Sequence, residues 1–144
     1  RSITMAECIF CRVAAGLEPS WKVLETESAY AFLDIHPVSE YHTLVIPKRH
    51  YRDIFDTPQA ELLALVATLK QVVDLYRERC GIQHVQIVNS SGAEAQQDVF
   101  HVHFHIVPRA TGDGQDVVWS TRPEIVERFG TLIAALPGAE FRQP

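Results

Sequence analysis

The chain has 144 residues, 47% of them hydrophobic, and a formal net charge of −5. No apolar run approaches the ~20 residues of a membrane-spanning helix, and the mild acidity argues against a general nucleic-acid binder, which carries a basic surface. One domain spanning residues 5–144, with a core of its own, is expected.

Arg1 to Thr4 precede the first methionine, Met5, with no apolar segment behind them. They read as an expression leader rather than a signal sequence, and a cytoplasmic location is expected. Glu7 to Ala15 reads as a short helix closed by Gly16, and it carries Cys8-x-x-Cys11. The chain's three cysteines are an odd number, and Cys8 and Cys11 are too close to staple a secreted scaffold. Metal-binding thiolates in a reducing compartment are the better reading; two small buried apolar residues are the competing one. Lys22 to Glu25, Ala29 to Asp34 and Thr43 to Pro47 are strand candidates separated by turn residues.

A long helix is predicted from Thr57 as N-cap and Pro58 as first helical residue to Gly81. Its apolar residues Leu62, Leu65, Val66, Leu69, Val72, Val73 and Tyr76 recur at the three-and-four spacing of a one-sided helix. Val85 to Asn89 and His101 to Val107 supply two more strands around the polar loop Ser90 to Asp98. Thr121 and Glu124 have capping-box spacing and open a last helix that runs to about Leu136. Hairpin-joined strands with one long helical connection predict an α+β fold on an antiparallel sheet.

The run His101-Val102-His103-Phe104-His105-Ile106-Val107 concentrates the chemistry. An extended chain sends successive side chains to opposite faces, so three imidazoles share one face while Val102, Phe104 and Ile106 enter the core. Neutral imidazole is a competent nucleophile near pH 7, because its unperturbed pKa is about 6.5. A tetrahedral zinc site needs four ligands of this softness; Cys8, Cys11 and His50 supply three, and one imidazole of the triad supplies the fourth. With all four positions filled by protein, such a zinc is structural.

Four ordered blocks carry a family resemblance: Cys8-Ile9-Phe10-Cys11, Ala31 to Val38, His42 to His50, and Gln97 to Arg109. Together they resemble the histidine triad (HIT) family, in the bacterial branch related to nucleoside phosphoramidases and diadenosine polyphosphate hydrolases. The resemblance implies a homodimer in which two five-stranded sheets, each with one long and one or two short helices, join into a ten-stranded one. It implies cleavage at the α-phosphate of a purine nucleotide, with His103 attacking phosphorus to give a nucleotidyl-histidine that water resolves to an AMP-like product. His105 and Gln97 fall at phosphate-contacting positions, and His101 at a zinc-ligand position. Asp34 falls where the ribose is bound, Phe32 and Ile35 where the base is lined, and His42 beside the site. Nucleotidyl transfer or phosphorolysis through the same intermediate is the near alternative. A zinc-stabilised nucleotide-binding module without turnover is the distant one.

Bland readings compete at several positions. His36 and His84 read as surface histidines, Asp34 as a turn cap, Lys48, Arg49 and Arg109 as a solvated basic edge, and Cys80 as a lone buried thiol. Tyr41 and Gln96 stand where the family commonly has glycine, so a backbone freedom is expected to be lost there.

Overall fold

Five antiparallel strands form one sheet in the spatial order β1-β2-β3-β5-β4, with β1 at Lys22–Glu25, β2 at Ala29–Leu33, β3 at Thr43–Pro47, β4 at Val85–Val88 and β5 at Phe104–Pro108. The computed structural model describes Thr4 and residues 7–144, so the rest of the expected leader and Met5 lie outside the described residues. Helix α1, Ile9–Ala14, covers one face of the sheet, and α2, Gln59–Cys80, covers the other.

The two-residue strand period builds both layers. Tyr30, Phe32, Leu44 and Ile46 meet Cys8, Phe10, Cys11 and Val13 on the α1 face. Ala29, Ala31, Val45 and Ile106 meet Leu65, Leu69, Val72 and Tyr76 on the α2 face. Central strands buried on both sides read as unbroken apolar runs, which is why β2 and β3 carry almost no polar alternation. Leu65 and Val72 are fully buried, and each such side chain stabilises the fold by about 1.5–3 kcal/mol. Among the described residues no helix is long and apolar enough to cross a membrane.

Several boundaries depart from the sequence expectation. Pro58, with φ −59° and ψ 147°, is itself the N-cap of α2, and the Thr57 hydroxyl donates to Asp53 O instead of capping the helix. Within α2, Thr68 is buried and Val66 is exposed, because the helix stripe is narrower than the apolar pattern suggested. The helix closes as expected, with Gly81 left-handed at φ 66°. A short 3₁₀ turn, Ala93–Ala95, interrupts the loop read as irregular. The last helix is a 3₁₀ turn, Pro123–Arg128, running into α3, Phe129–Ala134; Glu124 is held by Arg122 Nε at 3.0 Å and no capping box forms.

The two sheet edges differ. β1 carries a register irregularity between Lys22 and Leu24 and a Lys22–Glu25 ion pair, both of which blunt an edge. β4 is Val-Gln-Ile-Val, uncharged, with Val85, Ile87 and Val88 exposed.

Candidate active site and metal centre

The first two triad histidines precede β5 rather than lying within it, a correction to the strand expected from His101. Their backbone is held by loop and side-chain bonds in place of a ladder: Val102 N–H donates to Tyr51 O at 2.7 Å, and Asn89 Nδ2 donates to His103 O at 3.0 Å. The alternation survives. His103 and His105 turn toward the α1 side, with ring centroids 5.1 Å apart, while Phe104 and Ile106 pack in the α2 layer.

Hydrogen bonds fix which nitrogen of each ring carries the proton. His101 Nε2 lies 2.8 Å from Pro47 O, and a carbonyl only accepts, so the ring's lone pair is on Nδ1. By the same rule His103 Nδ1–H donates to His101 O at 2.7 Å, and the free lone pair of His103 is on Nε2. Val38 N–H donates to His42 Nδ1 at 3.1 Å, so Nε2–H of that neutral ring donates to His105 Nδ1 at 2.9 Å. His105 therefore keeps its proton on Nε2. Burial lowers the pKa of His42 despite the neighbouring Asp34 carboxylate. Burial, aided by the charges His103 and His42 would carry, lowers His105 to about 4. At pH 7 the relay is neutral, and it offers His105 Nε2–H as a donor.

Asp34, His42 and His105 bring a carboxylate oxygen and two ring nitrogens within reach of a single ion. They do not make a metal site, because His42 Nε2 carries hydrogen and has no lone pair to give. Asp34 Oδ2 sits 3.5 Å from His42 Nε2, and Asp34 Oδ1 accepts His36 N–H at 2.8 Å, so this residue both caps its turn and faces the relay.

His42→Ala is expected to lower kcat by about 10- to 100-fold with KM little changed, since the His105 donor loses its orientation. His42→Gln keeps an amide donor and is expected to recover most of the loss. The pH–kcat profile checks the mechanism: without His42, His105 gains a site for a second proton, and a new ionisation enters above its present value of about 4.

Cys8, Cys11, His50 and His101 form the second cluster, with all four ligand atoms within 4.8 Å of one another. Cys8 is the N-cap of α1 and Cys11 lies in its first turn, so one short helix presents both sulfurs. His101 Nδ1 lies 3.4 Å from Cys8 Sγ, 3.5 Å from Cys11 Sγ and 3.2 Å from His50 Nδ1, while Cys11 Sγ is 3.4 Å from His50 Nδ1. A tetrahedral ion with bonds of about 2.3 Å to sulfur and about 2.0–2.1 Å to nitrogen requires edges of about 3.6 Å for S···N and about 3.3 Å for N···N. The donor set and its spacing fit a divalent ion of the zinc type. Burial lowers His101 to about 4, which keeps its ligating lone pair free, and its other nitrogen is held by Pro47 O. Burial and the neighbouring Cys8 push the Cys11 thiol up to about 12, so this thiol requires a cation beside it to ionise.

A cavity of about 410 Å³ crosses the α1 face from His103 and His105 at the start of β5, over Leu44 of β3, to Phe32 and Asp34 at the end of β2. Ile9, Phe10, Val13 and Ile35 complete an apolar wall, and Asp98 stands by the histidines. A larger concavity of about 690 Å³ beside Tyr41, Cys80 and Arg109 contains none of the triad.

The structure places Phe32, Asp34, Ile35, His103 and His105 together around this cavity. Gln97 is a correction: its Nε2 donates to Arg52 O at 2.7 Å and Val99 O at 3.1 Å, and its Oε1 accepts Gly92 N–H at 2.7 Å, so its amide anchors the loop and has no donor left for phosphate. His101 is a second: it is fully buried with both ring nitrogens engaged, its carbonyl accepts from His103 Nδ1–H, and it does not line the cavity. His42 likewise does not line the cavity and is bonded to His105, which does. Cys80 is exposed, not buried. Lys48 pairs with Glu25 at 2.7 Å and Arg109 with Asp113 at 2.7 Å, so neither reaches the cavity. Sequence reasoning passed over Phe10, whose ring packs edge-on against both His101 and His103 at 5.9 and 5.2 Å, and over Asp98, whose Oδ1 is 4.0 Å from His103 Nε2. The only signals were an aromatic inside Cys-x-x-Cys and an acid next to Gln97.

Residues 16–112 match the HIT domain family. A HIT-like protein of Methanocaldococcus jannaschii is 44% identical over 110 residues, covering 76% of this chain and 84% of the relative. An adenosine 5'-monophosphoramidase of Candida albicans is 36% identical over 134 residues, covering 88% of this chain and 87% of the relative. Among solved structures, a zinc-bound histidine triad family protein of Mycobacterium smegmatis superposes with a TM-score of 0.74 at 32% identity, covering 92% of this chain and all of that one. Sequence, fold and the tautomer-locked histidines converge, and the chain belongs to the histidine triad family.

Proposed function

We propose that this protein is a hydrolase acting at the α-phosphorus of a purine nucleotide, either a nucleoside phosphoramidate or a dinucleoside polyphosphate, through a covalent intermediate on His103. The observation that carries the reading is the His103 Nε2 lone pair, freed by the Nδ1 bond to His101 O and facing a cavity of about 410 Å³. Support for the nucleotide comes from the similarity to an adenosine 5'-monophosphoramidase.

In the first step Nε2 attacks phosphorus and the bond to the leaving group breaks, its electron pair departing with that group, which takes a proton from solvent. His105 Nε2–H stabilises the charge gathering on the phosphate oxygens. In the second step water attacks phosphorus and gives up a proton to solvent, the P–Nε2 bond returns its pair to His103, and nucleoside monophosphate is released. Two inversions retain configuration at phosphorus. Asp34 accepts from the ribose, and the base lies against Phe32, Phe10 and Ile35. Zinc, held by Cys8, Cys11, His50 and His101, supplies no reacting group; its four ligands clip α1 and the His101 carbonyl in place behind the nucleophile. A reducing, cytoplasmic setting suits a site made of free thiols.

A second copy of the chain is the partner that β4 fits, because this edge alone is uncharged and apolar while β1 is blunted. Pairing β4 with β4 gives a ten-stranded homodimer. Ile87→Lys is expected to shift the mass measured by light scattering from dimer to monomer, and an unchanged mass removes β4 from the interface.

Mass spectrometry of enzyme quenched in alkaline denaturant during turnover tests the reaction, because the P–N bond of a nucleotidyl-histidine is lost in acid. One nucleotidyl group on the peptide containing His103 and one solvent oxygen in the released monophosphate are expected. Capture of the nucleotidyl group by inorganic phosphate in place of water identifies the transferase alternative, and AMP binding without turnover identifies the binding module.

A further inference from the structure

The phosphate end of the cavity is electrostatically one-sided. Glu18, Asp34 and Asp98 line the cavity; Glu18 is paired with Arg12 Nε at 2.8 Å, and among the described residues no lysine or arginine lines the cavity to offset Asp34 and Asp98. The His105 donor there is neutral, burial lowering it to about 4, so it brings no positive charge to offset Asp34 and Asp98. Of the three acids, Asp98 stands nearest the reacting atom, its Oδ1 4.0 Å from His103 Nε2, and its side chain is 84% exposed at the mouth. The loop that carries it is not free: Gln97 grips Gly92, Arg52 and Val99, and Val99 N–H holds Asp98 Oδ1 at 2.9 Å. The second carboxylate oxygen remains available to whatever leaves the site.

Base and ribose occupy the inner part, between α1 and β2, so the leaving group projects from phosphorus toward the open end where Asp98 lies. We infer that Asp98 is a specificity-determining residue that reads the charge of the leaving group, favouring an amine that bears a further positive charge over a neutral one, and both over an anionic one. Asp98 acts on a charge carried several bonds from phosphorus; the nucleophile and the bonds made and broken stay as set out above. The inference rests on the proposed attack of His103 at the α-phosphorus and specifies the substrate class of that site. A polyphosphate leaving group, which brings several negative charges beside these carboxylates, is accordingly a poor substrate.

Three AMP phosphoramidates that share one alkyl amine and differ only in a terminal ammonium, amide or carboxylate test the idea. At low ionic strength kcat/KM is expected to fall in that order, by about tenfold between the ends, and the spread should shrink with added salt as surface charges are screened. Asp98→Asn should reduce the spread to less than twofold, and Asp98→Lys should reverse it. The exposure of Asp98 keeps both variants clear of the core. A flat response in the wild type, or a spread that persists in Asp98→Asn, overturns the inference while leaving the His103 reaction standing. Absence of turnover and of a His103 adduct with all three compounds overturns both.

Discussion

His103→Asn loses turnover by a factor on the order of 10⁴ or more and accumulates no nucleotidyl-enzyme, while its unfolding midpoint stays close to that of the wild type. The size of the effect follows from covalent catalysis. Without Nε2 the reaction must proceed by direct attack of water, and the remaining His105 donor stabilises the oxyanion but cannot divide the displacement into two steps. Asparagine is the informative replacement because its amide can still donate to His101 O, the bond that His103 Nδ1 makes at 2.7 Å. The ring is 3% exposed and packs against Phe10, so alanine would add a cavity to the chemical loss. His105→Ala should retain the adduct and turn over about 10²–10³ times more slowly, the cost of one oxyanion donor. If His103→Asn keeps even a hundredth of the wild-type rate with a trapped adduct, another residue is the nucleophile.

Much of this site was legible in the chain, and the exceptions have physical causes. The two-residue alternation of the histidine run was readable because it reflects which face of an extended segment each side chain occupies, and that holds whether or not a ladder forms. The start of β5 was not readable, because the segment before it satisfies its backbone through Val102 N–H to Tyr51 O and His103 O to Asn89 Nδ2, partners outside the run. Gln97 was misassigned for a related reason: residue type shows that an amide can donate, and only the fold shows that Arg52 O and Val99 O already take both hydrogens. Tyr41 and Gln96 teach the converse. The substitutions at these two glycine-favouring positions suggested a changed backbone, yet among the described residues they are the two non-glycine residues with positive φ, at 62° and 71°. Each holds, at a cost of about 1–2 kcal/mol, the left-handed conformation that glycine adopts freely. The long helix was identified by its period, while its cap was missed because Thr57 bonds backward to Asp53.

Removing the metal should lower the unfolding midpoint by on the order of 10–20 °C, the consequence of losing several kcal/mol in a domain of this size. Helix α1 has six residues, too few to persist unaided, and its inner face is fixed to the sheet by Cys8 and Cys11 together with Phe10 and Val13. Without a cation, burial keeps the Cys11 thiol protonated, nothing joins the two sulfurs to His50 and His101, and the clip between α1 and the triad is lost. The loss reaches catalysis through His101, whose carbonyl sets the tautomer of His103, so turnover should fall by about 10–100-fold, as when a ligand's support is removed. Chelation followed by stoichiometric zinc distinguishes a metal effect from irreversible damage, since both midpoint and turnover should return. Cys8→Ser/Cys11→Ser should reproduce the apo state and not respond to zinc. Amide exchange gives the local signature: α1 should exchange faster on metal removal while α2, anchored by Leu65, Leu69 and Val72 on the opposite face, keeps its protection. A protein that binds zinc with no change in midpoint, or whose α1 and α2 lose protection together, would show that the cluster does not clip the helix to the sheet.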